Sequence, residues 1–229
     1  MIIHPRRLLS EFIGTLGIVL VVVGSGIMAE RLTTDVAVQL LANTIATAGG
    51  LVLFIYLLGP VSGAQFNPVV TLAESFERRF AIREVAPFIA VQVAGACAGA
   101  MISNVMFGLD IVNTSVKERA GGPIFLGEVV ATAVLVFIIQ GAIRSGRTSA
   151  IPFLVPAWIT AAYWSTSSTS FANPAVSIGR SLSNTFAGIA PSSLLMFILG
   201  QLVGGALGLI LARSLFVSQK ITEPLVEKV

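Results

Sequence analysis

Hydrophobic residues along this chain gather into long blocks in which polar side chains are scattered and charged ones are missing. No Asp, Glu, Lys or Arg occurs in residues 36–73, 148–179 or 181–212. A helix that crosses the hydrocarbon core of a bilayer needs about 20 consecutive, predominantly apolar residues. Each block can therefore hold one span or more. Taken in order, the blocks predict six membrane-spanning helices, near residues 8–29, 36–58, 84–107, 124–143, 149–166 and 190–212. The first is too long, and lacks the small-residue cleavage pattern, for a removed signal peptide, so it counts as a span. The predicted fold class is an all-α membrane protein forming a single domain over residues 1–229.

The two halves of this pattern echo one another, with repeat 1 over about 8–107 and repeat 2 over about 124–213. Glu11 opens a span in EFIGTLGIVLVVVGSG and Glu128 opens one in EVVATAVLVFIIQGA. Asn67, Pro68 and Val69 follow in SGAQFNPVVTLAESF, and Asn173, Pro174 and Ala175 in TSFANPAVSIGRSL. Gln92 and Gln201 then head QVAGACAGA and QLVGGALG inside the third span of each half. Three spans per half mean that the second copy enters the membrane upside down, which places functional sites where the halves meet. Gly95 and Gly99, and Gly200, Gly204 and Gly208, recur at four-residue spacing, a pattern that lets helix backbones approach closely in lipid.

An Asn-Pro pair is a helix start, because Asn caps orphan N–H groups and Pro suits the first helical position. Both pairs lie in charge-free sequence. Non-helical backbone at membrane depth is tolerated only when it is packed in protein or lines a watery cavity. Residues 61–66 and 165–172 are thus expected to be re-entrant loops, each followed by a half-helix, with the two helix starts meeting near mid-membrane. The positive ends of the two half-helices would repel cations there, while Asn amides and loop carbonyls of residues 64–66 and 170–172 would offer donors and acceptors to neutral solutes. A pair of ordinary helix caps beside loops is the plainer reading; the matched positions in two repeats weigh against it.

Composition agrees with a membrane protein: 55% of the residues are hydrophobic and 11% charged, with a mean hydropathy of +0.91. Of the basic residues, ten (Arg6, Arg7, Arg78, Arg79, Arg83, Arg144, Arg147, Arg213, Lys220 and Lys228) fall on the side of the termini. Four, Arg31, Lys117, Arg119 and Arg180, fall on the other. By the positive-inside rule both termini are cytoplasmic. The net charge of +3 follows from this topology, and no basic stripe with interleaved aromatics suggests a nucleic-acid partner. The single cysteine, Cys97, cannot form an intrachain disulfide and reads as a packing residue. The hydroxyl-rich STSSTS at 165–170 has no activating base, because the only histidine, His4, precedes the first span. No metal-ligand cluster or cofactor motif appears, and an enzyme is not expected.

The six spans, the doubled Asn-Pro motifs and the paired Glu and Gln residues resemble the major intrinsic protein family, the aquaporins and aquaglyceroporins, over nearly the whole chain. The resemblance implies an hourglass pore in each subunit of a homotetramer in the lipid bilayer, with Glu11, Glu128, Gln92 and Gln201 holding the re-entrant loops. Val69 departs from the family's alanine. The family's filter positions, counted from each Asn, fall on Thr47, Ala161, Ser170 and Val176. Val176 stands where an arginine usually follows the second motif, which removes a fixed charge and a donor fork. A wider, uncharged filter is expected, passing glycerol, urea or metalloid acids as well as water. Valine at this position also resembles a bacterial branch associated with arsenic detoxification, which implies arsenous acid as a solute and a bacterial plasma membrane as the location. Arg180, one turn beyond Val176 and on the same helix face, either faces the outer vestibule or snorkels to headgroups. A water-selective aquaporin, an alternating-access secondary transporter and a poorly conducting adhesive protein stand as rivals.

Overall fold

The computed structural model describes residues 4–216; Lys220 and Lys228 lie outside the described residues. The chain forms helices α1 (Pro5–Leu32), α2 (Val36–Ser62), α3 (Pro68–Phe76), α4 (Ile82–Met106), α5 (Gly122–Arg144), α6 (Ile151–Ser165), α7 (Pro174–Arg180) and α8 (Leu194–Leu215). No strand occurs among the described residues; a single bridge pairs Asn113 with Ser183. Five of the long helices, α8 counted with the turn before it, are long and apolar enough to cross a membrane. The sixth, α6, is 15 residues long and follows a three-residue 3-10 turn at Thr148–Ala150. Together these rise about 28 Å, close to the thickness of a bilayer core.

The two halves pack in the same way. In the first, α1 lies against α4 and α2, and α3 against α4; in the second, α5 lies against α8 and α6, and α7 against α8. The half-helices also cross over, α7 onto α4 and α3 onto α8, while α2 meets α6. The two long-helix pairs approach closely at the glycines. A Cβ added at Gly95 or Gly99 would stand 2.4 Å from the carbonyl oxygen of Phe12 or Leu16, and one at Gly204 or Gly208 2.3 or 2.2 Å from that of Val129 or Ala133. Without a hydrophobic force between helices in lipid, such backbone contact supplies the dispersion energy of packing.

The re-entrant segments are shorter than expected. The first was predicted from residue 61, but α2 runs through Pro60 and ends only at Ser62. Pro60 falls in the last turn, where a lost hydrogen bond costs little, and Gly63 closes the helix in the left-handed region at φ 93° with its N–H on the Gly59 carbonyl. The second begins at Thr166, after α6. Large apolar side chains such as Ile45, Leu53, Leu57, Phe153 and Ile210 cover the outer surface. Apolar faces of this extent belong against lipid or other helices.

Candidate functional site

Asn67 and Asn173 cap the half-helices as their sequence predicts. The Asn67 side-chain oxygen accepts from the N–H of Val69 at 2.9 Å, and that of Asn173 from Ala175 and Val176 at 3.0 and 3.3 Å. The amide nitrogens do something that the sequence did not reveal. Asn67 Nδ2 donates to the carbonyl of Ala172 at 2.7 Å, and Asn173 Nδ2 donates to the carbonyl of Phe66 at 2.8 Å. Each half is thus tied to the other through the residue that precedes the partner's Asn. An amide carries two N–H donors, and the second of each pair has no protein acceptor.

The loop carbonyls reach this position because the backbone turns left-handed at equivalent places. Ala64 and Phe66 have φ of 48° and 47°, and Ser170 and Ala172 both 50°. None of these residues is glycine, so the conformation is strained and must be held from outside. The carboxyl of Glu11 accepts from the N–H of Gln65 and Phe66 at 3.0 and 2.7 Å and from Ser62 Oγ at 2.6 Å. That of Glu128 accepts from the N–H of Phe171 and Ala172, both at 2.9 Å. Gln92 Nε2 donates to Glu11 and to Thr71 Oγ1, and Gln201 Nε2 donates to Glu128 and to Ser177 Oγ. Thr71 and Ser177 each lie four residues after their Asn and return a hydrogen bond to its carbonyl. All four acidic and amide side chains are fully buried.

Val69 fits because of a glycine in α8. Its Cγ1 lies 2.3 Å from where a Cβ at Gly205 would stand. The additional methyl groups therefore occupy space that any other residue at 205 would fill.

Beside the two asparagines runs a cavity of about 600 Å³. It extends from Glu74, Tyr56, Thr148 and Ser149, at the face where the described chain ends lie, to Thr47, Tyr163, Ser170, Val176 and Arg180 toward the opposite, loop face. Between them its wall is apolar, with Ile18, Val22, Ile55, Leu135, Ile139, Val155 and Ile159. Ala161 is a correction: it is exposed on the outer side of α6 and does not line the cavity, whereas Ile159 and Tyr163 do. Tyr163 Oη approaches Thr47 Oγ1 at 3.5 Å across this end. Of the two places expected for Arg180, the structure takes the one beside the passage. Arg180 lines the same cavity and is only 3% exposed, so it does not snorkel to the surface. Its Nε donates to the carbonyl of Ala187 and its guanidinium carbon lies 3.3 Å from the centroid of the Phe171 ring. Thr71, Ser177 and Glu74 could have been found by extending the repeat alignment past the Asn; Tyr163 carried no signal of its own.

Doubled, reciprocally tied half-helices beside a continuous cavity define a membrane channel rather than a catalytic centre. Residues 2–212 match the major intrinsic protein family, and the chain belongs to that family. It is 48% identical over 208 residues to aquaglyceroporin AqpS of Rhizobium meliloti (strain 1021), covering 91% of this chain and 89% of that protein. It is 29% identical over 229 residues to aquaporin Z of Rhodopseudomonas palustris, covering 93% and 94%. Its fold matches the X-ray structure of the aquaglyceroporin from Plasmodium falciparum with a TM-score of 0.64 at 17% identity, over 90% of this chain and 94% of that one. The protein is a multi-pass membrane channel for small solutes and not an enzyme.

Proposed function

We propose that the channel passes uncharged solutes larger than water, namely glycerol-like polyols and trihydroxy metalloid acids such as arsenous acid, together with water. The observation that carries this reading is Val176 in the cavity wall one turn from Asn173, with Thr47 and Ser170 also short. A side chain that neither reaches across the passage nor carries charge leaves room for a solute carbon or arsenic atom. The similarity to a protein named as an aquaglyceroporin supports the same class.

In this reading a solute hydroxyl exchanges water for loop carbonyls and for the free N–H of Asn67 and Asn173, while its apolar flank slides along Ile139, Val155 and Ile159. The meeting helix starts carry a partial positive charge that raises the energy of a cation at the waist and leaves a neutral solute unaffected. Thr47, Ser170 and Val176, with Tyr163 in the place first given to Ala161, form the filter, and Arg180 stands at the vestibule beyond it; Glu11, Glu128, Gln92 and Gln201 hold the loops. We further infer a homotetramer in a bacterial plasma membrane with both termini cytoplasmic. Eight of the ten arginines and lysines assigned to that side lie among the described residues.

Stopped-flow light scattering on proteoliposomes, with water, glycerol and arsenous acid compared against protein-free vesicles, tests the proposal. Protein-dependent flux of all three, non-saturating and with a low activation energy, is expected. Val176→Arg should slow glycerol far more than water. Equal slowing of both would overturn the account of the filter, and saturable, ion-coupled flux would favour a carrier.

A further inference from the structure

The two half-helices treat equivalent positions in opposite ways. Glu74 and Arg180 each stand seven residues after their Asn, and each lines one end of the cavity. Glu74 is neutralised: its carboxylate accepts from Gln140 Nε2 at 2.7 Å and from Arg79 Nε and Nη2 at 2.8 and 3.0 Å. Arg180 has no such counterpart. Among the described residues no carboxylate lies within ion-pair distance of it, and its terminal amino groups have no protein acceptor, since the one bond runs from Nε. The stacked ring of Phe171 fixes the guanidinium plane without using those N–H groups.

More positive charge surrounds this end. Arg119 lies 5.1 Å from the same ring and donates to the carbonyls of Gly188 and Phe186, and Lys117 Nζ donates to the Phe186 carbonyl at 3.0 Å. Burial and then the neighbouring Arg119 hold the Lys117 ammonium below its ordinary value, as expected where cations crowd. The negative groups nearby are already engaged: Glu30 accepts from the N–H of Phe186, and Glu128 from the loop that carries Phe171. Ser170 Oγ, 2% exposed and lining the same end, has no hydrogen-bond partner.

We propose that the loop-side mouth is a docking site for a small oxyanion, held by the open amino edge of Arg180 and the Ser170 hydroxyl, with Arg119 and Lys117 as flanking charges. A guanidinium with two free donors matches the geometry of such an anion, and the hydroxyl adds a third donor. Because Arg180 is part of the conduit wall, an anion seated there obstructs neutral solutes. The inference rests on the channel reading above.

The test measures glycerol flux through proteoliposomes of the full chain with inorganic phosphate on both membrane faces, against chloride at matched ionic strength and osmolarity. Phosphate should slow glycerol saturably and several-fold in the unaltered protein. Arg180→Gln should raise the half-blocking phosphate concentration about tenfold or more, as expected for loss of a charge-assisted donor pair. Arg119→Gln should raise it by a smaller factor, and supplies the test should Arg180→Gln fail to insert. Glycerol flux that ignores phosphate, or a block left unchanged by these substitutions, would overturn the docking site while sparing the channel. Absence of protein-dependent glycerol flux in chloride would remove the proposed solute range and this inference with it.

Discussion

Glu128→Ala isolates the force that keeps the conduit wall in shape. The Glu128 carboxyl serves two backbone donors, the N–H groups of Phe171 and Ala172, in a fully buried site. A buried donor left without an acceptor costs about 1–3 kcal/mol, so the pair costs roughly 2–6 kcal/mol. Against this stand Thr169, Ser170 and Ala172, left-handed at φ 60°, 50° and 50°, which store about 1–2 kcal/mol each. Carboxyl and strain are therefore of similar size, and the loop keeps its form only while the carboxyl is present. Alanine removes both acceptors, and the cheapest response is relaxation of the loop toward ordinary backbone angles, which turns the carbonyls off the conduit. A shift of about 3 kcal/mol lowers the population of conducting loops roughly a hundredfold. Stopped-flow glycerol flux, normalised to inserted protein, should fall to the level of empty vesicles, and thermal unfolding in detergent should move down. Glu128→Gln keeps one acceptor oxygen but sets an NH₂ against the other backbone donor, so it should lie between. An alanine variant with undiminished flux and an unshifted unfolding temperature would refute the reasoning.

Two further outcomes follow from where side chains point and how charges pair. Ile159→Trp places an indole in the cavity and should abolish glycerol flux, whereas Ala161→Trp faces outward and should leave it unchanged; the reverse pattern would restore the residue first assigned to the filter. Burial alone would raise the Glu77 carboxyl, but the hydrogen bond from Arg213 and the charges of Arg144 and Arg213 outweigh it and hold Glu77 below its ordinary value near 4.5. A depressed value means that this cluster stabilises the fold above that ordinary value and ceases to do so as pH falls through the lower, folded one. Unfolding temperature in detergent should accordingly drop on acidification below pH 4.5, and Glu77→Gln should flatten that dependence.

The spans, the inverted repeat and the pairing of Glu and Gln with each Asn-Pro motif were legible because each leaves a pattern in one dimension: apolar length, order and spacing. The lining of the cavity was only partly so. Thr47, Ser170 and Val176 line the cavity, and Ala161 does not. Positions within a helix or beside the Asn are fixed by regular geometry, whereas reaching α6 means counting back across the second loop. That linker, Thr166 to Asn173, is eight residues long, against five from Gly63 to Asn67. The two-residue offset between Ala161 and Tyr163 rotates the side chain about 200° around a helix, from lumen to outer face. The reciprocal Asn bonds were hidden for another reason. An amide that caps its own helix looks complete in sequence, and only the meeting of two chain segments 105 residues apart shows what its nitrogen does.

Those reciprocal bonds also brace the two halves against each other. With each half clasping the other at 2.7 and 2.8 Å, the meeting point of the half-helices behaves as a truss held by two struts. Widening it would break both at once. A change at either rim, by contrast, leaves both struts standing.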